Sequence, residues 1–523
     1  MKALIAVLVG SFMLIACGGG DGDERDADAD ATTDPAAEAD AGTDPGTDPW
    51  DDSGPYDCTP GEPSGPVHHV ATDGSDETGD GSEGSPWATI THALDTVADG
   101  STILVSPGLY EGRVRLRGSF DEGVVVRSAE PYRARLRHTE TVVTAYTTSS
   151  GCHGITMEGF DIAHSGPGAG ALVFHIDADG SGAVYDITLR GNVLHDSYDN
   201  DILKVNHGIS GVVIERNLFY NQTGSDEHID INSAADVIVQ DNIFMSDFDG
   251  SGRTNGNDTS SYIVIKDSNQ GDDIYTGSHH IVVRRNIFLN YEGSTGTGFL
   301  LLGEDGHPIH ESHDILVENN LMIGNSANAM RAPFGVKGGR DIVFRANTVV
   351  GDMPGRAFAM RLNVEGDNPD NENISFFNNI WSDPTGTMGA LDSSDANDFS
   401  DASPDHTTSF AIDGNLYWNG GDAVPEDGAE LINYTDDAHA VTADPVLGDQ
   451  SGLVPPRWDP SAGTFVDGST SICEAFDRLV ELYCVPGAGS GAIDAALAAQ
   501  APADDITGAA RGGSPDIGAC EAF

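Results

Sequence analysis

Basic residues are scarce in this chain. Only 25 Lys and Arg stand against 84 Asp and Glu, for a formal charge of −59. Nucleic acid is therefore excluded as a partner, because it demands a basic surface. The acidic balance fits a solubilised extracellular protein, a saline habitat or cation binding, and an anionic polymer would need a local basic patch or a bridging metal ion. Aromatic residues are also few, 7% of the chain, while glycines number 65. That composition suits a turn-rich β protein better than a helical one. No nucleotide-binding loop, nucleophile elbow or zinc-protease motif occurs. At 523 residues the length prior favours several domains, a prior that elongated repeat folds break.

The apolar stretch 3–16 follows Lys2 and is too short to span a bilayer. It ends in Leu14-Ile15-Ala16-Cys17, which looks like a bacterial lipobox. Residues 1–17 are expected to be a lipoprotein signal with Cys17 lipidated, tethering an exported protein to the cell envelope. Residues 18–65 hold Gly, Asp, Ala, Thr and Pro with almost no apolar content, and read as a disordered, self-repelling spacer.

Five further cysteines are Cys58, Cys152, Cys473, Cys484 and Cys520. An exported location permits disulfides. CEAFDRLVELYC (473–484) reads as an amphipathic helix. Its length of roughly 16 Å exceeds the about 4.4–6.8 Å between Cα atoms that a disulfide allows. Cys473 and Cys484 therefore pair elsewhere or not at all, and the odd count leaves one thiol over.

One pattern recurs from 154 to 419. Its copies include DITLRGNVL (186–194), GVVIERNLF (211–219), DVIVQDNIF (236–244), HIVVRRNIF (280–288) and DILVENNLM (314–322). Each joins alternating apolar residues, a short step, an asparagine and a second apolar pair. The asparagines are Asn192, Asn217, Asn242, Asn286, Asn320, Asn347, Asn379 and Asn415. Such a period marks a solenoid, and strand–turn–strand units without helical periodicity fit the coils of a parallel β-helix. Asparagines at equivalent turns can stack, each amide bonding the next. Excess length falls into loops on one side, often the functional side.

A second strand recurs in each coil: ILKVN (202–206), HIDIN (228–232), YIVIK (262–266), FLLLG (299–303), PFGVK (333–337) and AMRLN (359–363). Alternation turns Leu203 and Val205 inward with their equivalents. Two outward columns remain. One reads Lys204, Asp230, Val264, Leu301, Gly335, Arg361; the other reads Asn206, Asn232, Lys266, Gly303, Lys337, Asn363.

This organisation resembles the right-handed parallel β-helix proteins of the pectate-lyase-like superfamily. The entry segment HHVATDGSDETGDGSEGSPWATITHALDTVADGSTILVSPGLYEG (68–112) is similar to their opening, with a capping helix over about 88–97. DPVLGD (444–449), SGAIDAA (490–496) and DDITGAARGGSPDIGACE (504–521) are similar to their closing segments. The resemblance implies an all-β right-handed parallel β-helix over 66–430, then last coils and a C-terminal capping segment over 431–523. It further implies polysaccharide lyases, uronan epimerases or glycoside hydrolases, the lyases using a Lys or Arg base beside a Ca²⁺-binding acidic cluster. The arginine-rich signature of the commonest pectate lyases is absent. The Asp-rich motif of the calcium-and-lysine type is matched loosely by Asp199-Asn200-Asp201 with Lys204.

Neighbouring coils lie about 4.8 Å apart, so Lys204 is expected beside Asp230. Asp199 and Asp201 should come near Asp226 and Glu227, and oxygen-only ligands suit Ca²⁺. Lyase chemistry removes the proton alpha to a uronate carboxylate, and a lysine of lowered pKa can take it. The expected catalytic set is Lys204, Lys266, Asp230, Arg361 and Lys337, with Arg253 and Arg331 nearby. The expected metal set is Asp199, Asp201, Asp226 and Glu227. A plain salt bridge between Lys204 and Asp230 stands beside catalysis. A hydrolase would draw on Asp230, Asp267, Glu304 or Asp305; His307, His310 and His313 suggest a transition metal or a merely polar loop. The expected function is a surface-anchored, monomeric lyase acting by β-elimination on an acidic polysaccharide. The alternatives are a non-catalytic glycan-binding β-helix, a glycoside hydrolase or an epimerase.

Overall fold

Alternating apolar residues and a left-handed corner residue build each coil. Just before each ladder asparagine stands a residue with φ between 51° and 72°: Gly191, Arg216, Asp241, Arg285, Asn319, Ala346, Asn378 and Gly414. That single left-handed step turns one strand into the next. The computed structural model describes residues 61, 63, 65–223, 227–255, 261–271, 273–294, 298–325, 328–351, 357–388 and 398–522. The expected signal, the lipidated Cys17 and nearly all of the spacer lie outside them, as does Cys58.

The strands stack in parallel, each pairing with its counterpart one coil on. Leu203 pairs with Ile229, Ile229 with Ile263, Ile263 with Leu300, Leu300 with Phe334 and Phe334 with Met360. All of these inward residues are buried. A second sheet of eleven strands closes each coil, running from Gly108–Glu111 to Leu416–Asn419. Its inward column stacks Phe219, Phe244 and Phe288 with ring centroids 5.0 Å apart, the coil spacing itself.

The eight asparagines form an unbroken ladder. Each Nδ2 donates to the next Oδ1 at 2.9–3.1 Å, from Asn192 to Asn415. All are fully buried, so the ladder satisfies the corner amides that no strand can pair.

The helix Ile90–Thr96, with Thr89 as N-cap, buries Ile90, Ala93 and Leu94 over the first coils; Val97 is only partly buried against the same core. The helix Ile472–Tyr483 is present. Cys484 pairs with Cys520, Cys473 is also disulfide-bonded, and Cys152 is the free thiol among the described residues. The C-terminal segment does more than cap. Ile472, Phe476 and Leu479 pack against Leu218, Ile243 and Ile287, residues on the outer side of the second sheet. Arg285 reaches Asp504 and Asn319 bonds the Asp504 carbonyl.

Candidate active site

The register of the first sheet sets the site. Lys204 pairs with Asp230 and Asn232 with Lys266, as the alternation requires. Asp201 and Glu227 stand just before the same two strands. Asp201, Glu227 and Asp230 are all buried, with carboxylate oxygens within 4.8 Å of one another. Asp201 Oδ1 accepts from the Glu227 N–H at 2.8 Å, which ties the two coils together. Asp201 Oδ2 and Asp230 Oδ1 are buried without a hydrogen-bond partner.

Three buried carboxylates so close repel one another. Burial, then the charge of Asp230, pushes the Asp201 carboxyl up; burial, Asp201 and Asp230 push Glu227 well above the ordinary range. Lys204 answers part of that field, with Nζ 2.5 Å from Asp230 Oδ2 and 3.8 Å from Asp201 Oδ2. Lys266 sits farther out, 3.9 Å from Asp230 Oδ2, 2.5 Å from Glu304 Oε2 and 3.7 Å from Asp305 Oδ1. The loop carrying Glu304 and Asp305 is shaped by Glu311, which accepts the N–H groups of Glu304, Asp305 and His307.

The expected lysine of lowered pKa is corrected. Burial opposes both ammonium groups, but Asp230 and Asp201 outweigh it at Lys204, and Asp230 and Glu304 outweigh it at Lys266, so both are raised. The expected metal set also changes. Asp230 joins it. Asp199 is not brought into the group that Asp201, Glu227 and Asp230 form; its Oδ2 accepts the Ala171 N–H of the preceding coil at 2.8 Å. Asp226 lies outside the described residues.

Arg361 and Lys337 are not brought to the trio. Lys337 is paired with Glu365, and Arg361 lies four register steps from Asp230, bonded to Asp401. Arg253 is buried elsewhere, donating to Asp196 and to the Ser197 carbonyl. Asp267, a hydrolase candidate, holds its own loop by accepting from Ser233, Asn269, Gln270 and Gly277. His307, His310 and His313 each approach a different backbone carbonyl and form no shared site.

The outward columns extend farther than the clearest repeats. His175 stands one coil before Lys204, with Nδ1 2.7 Å from the Tyr146 hydroxyl, and Asp401 follows Arg361. The alternation Phe174/Ile176 in FHID, inward like Leu203/Val205, carries the signal for His175.

No family model and no curated protein matches the chain. Solved structures do match. Pectate lyase Pel9A aligns over 88% of this chain and 97% of its own at 14% identity, with a TM-score of 0.46. The parallel β-helix is established by the strand register itself. A rhamnogalacturonan lyase aligns over 80% of this chain and 100% of its own at 12% identity and a TM-score of 0.42. XylC with xylose aligns over 74% and 88% at 14% identity and a TM-score of 0.41. With identities of 12–14% and TM-scores below 0.5, none of these likenesses carries an argument about this chain.

Proposed function

We propose that the protein is a calcium-assisted polysaccharide lyase that cleaves an acidic, uronate-containing polymer by β-elimination. One observation carries the reading: two buried carboxylate oxygens without a hydrogen-bond partner, on Asp201 and Asp230, lie two coils and one coil from Lys266. An orphaned buried oxygen is costly, and an all-oxygen donor set fits a hard divalent cation. Asp201, Glu227 and Asp230 would hold the ion. A bound Ca²⁺ would supply positive charge that offsets the substrate carboxylate and the trio's own field on Lys266.

The two lysines then divide the work. Lys204 touches two members of the trio and serves as their fixed countercharge. Lys266 touches the trio only at 3.9 Å, and its main partners sit on a half-buried loop. Lys266 is the group free to turn to substrate and accept the proton alpha to the uronate carboxylate. The lipobox at Cys17 and the acidic spacer support an exported, envelope-anchored location, and the acidic polymer is the proposed partner.

A non-catalytic glycan-binding protein is the second reading, favoured by the raised pKa of both lysines. Purified protein incubated with polygalacturonate, alginate and other uronans, with calcium or with chelator, separates the two. The lyase reading expects ultraviolet-absorbing unsaturated ends that need calcium; folded protein that binds a uronan and releases no such product supports the second.

A further inference from the structure

In a chain of charge −59, Arg331 and Arg361 converge on a single acidic residue. Arg331 Nε lies 2.8 Å and Arg361 Nε 3.0 Å from the same oxygen, Asp401 Oδ2. Asp401 is the only ion-pair partner of either arginine among the described residues. Two guanidinium groups therefore share one carboxylate, and neither Nη atom of Arg361 has a hydrogen bond among the described residues. The repulsion is felt: burial first, then Arg331, lowers the pKa of Arg361 despite Asp401. Both side chains are partly open, Arg331 at 18% and Arg361 at 26%. Both line a small pocket together with Leu301, Ala332, Gly335 and Asn363.

The position matters as much as the charge. Arg361 lies in the outward column of the candidate site, three coil steps beyond the strand that carries Lys266. At about 4.8 Å per step the offset is roughly 14 Å along the coil axis. In Arg361's own column the preceding positions are Val264, Leu301 and Gly335, which carry no charge.

We propose that Arg331 and Arg361 form a distal subsite for a carboxylate of the uronate polymer, occupied in the free protein by Asp401 as an internal stand-in. The subsite rests on the uronate reading above and deepens it. The substrate is a chain long enough to run along the outward columns from Lys266 to Arg361, and a guanidinium pair grips a carboxylate through paired N–H donors. Asp401 keeps the pair ordered and limits affinity by competing with substrate.

Calorimetric titration of the full chain tests this, with Lys266→Ala in every variant to prevent turnover. The probes are dimers and octamers prepared from polygalacturonate and from alginate, and the carboxyl-reduced octamers. The expected result is that Arg331→Gln and Arg361→Gln each weaken octamer binding about tenfold and abolish the advantage of octamer over dimer. Asp401→Asn should tighten the octamer severalfold, a gain that a purely structural role for the trio of residues would not give. The carboxyl-reduced octamer should bind no better than the dimer. Octamer affinity unchanged by the arginine variants, or weakened by Asp401→Asn, overturns the subsite, as does failure of every octamer to bind. The lyase reading fails separately: wild-type protein that binds octamers through these arginines yet yields no unsaturated product loses the lyase and keeps the subsite.

Discussion

Asp437 closes the asparagine ladder: its Oδ2 accepts both the backbone N–H and the side-chain amide of Asn415, each at 2.9 Å. The same oxygen accepts the Tyr417 hydroxyl at 2.9 Å, and Oδ1 accepts the N–H groups of Gly414 and His439. A ladder of amides runs out of acceptors at its end, and a carboxylate, which only accepts, satisfies five donors at once. Asp437→Asn is therefore not conservative, since its NH₂ would face two N–H donors or three other donors. It should cost about 2 kcal/mol, read as a lowered midpoint in urea. A variant as stable as wild type would show that the end of the ladder is not held this way.

Lys204 offers a second prediction, because it is the built-in countercharge of the trio. Lys204→Met should destabilise the protein in chelator by about 3 kcal/mol, the scale for breaking a buried pair. Calcium should restore most of that loss, and should raise the melting temperature of the variant more than that of wild type. An equal loss with and without calcium would remove the trio as a cation site without any reference to activity.

His195 gives the pH dependence. It is buried between carboxylates, with Nε2 2.8 Å from Asp161 Oδ1 and Nδ1 2.8 Å from Asp196 Oδ2. Arg137 also binds Asp161, Arg253 binds Asp196, and Tyr220 stacks on the ring. Burial disfavours the imidazolium, but Asp196 and Asp161 outweigh it and hold the pKa above its ordinary value. A raised folded pKa gives stability that is full below the unfolded value, about 6.5, and lost as pH rises through the folded value. The stability difference between wild type and His195→Gln should be largest in mild acid and shrink toward alkaline pH. A constant difference across that range would contradict the assignment.

Much of this was legible in the sequence because it depends on alternation. The asparagine ladder, the inward residues and the Lys204–Asp230 neighbour pair follow from a period of two and a repeated corner. The rest depends on loops that carry no period. Asp199 looked like a ligand beside Asp201, yet the preceding coil's loop brings the Ala171 N–H to it. The raised pKa of Lys266 depends on Asp230, which the register delivers, and then on Glu304, a loop residue positioned by the hydrogen bonds of Glu311. Tyr146 is hard to see because its coil has Gly159-Phe160 at the corner in place of the marking asparagine, and His175 because its strand is the short FHID at the start of the repeat. Asp437 was invisible for the opposite reason: it sits where the repeat has already stopped.

The proposed reaction needs Lys266 as a base beside a cation-binding trio. The direct measurement is the initial rate of unsaturated-product formation on the best uronan, in calcium, for wild type and Lys266→Ala. The expected loss is about 10²–10⁴-fold, the contribution of a positioned general base, with the variant's melting temperature still raised by calcium. A Lys266→Ala protein that keeps the wild-type rate would contradict the account.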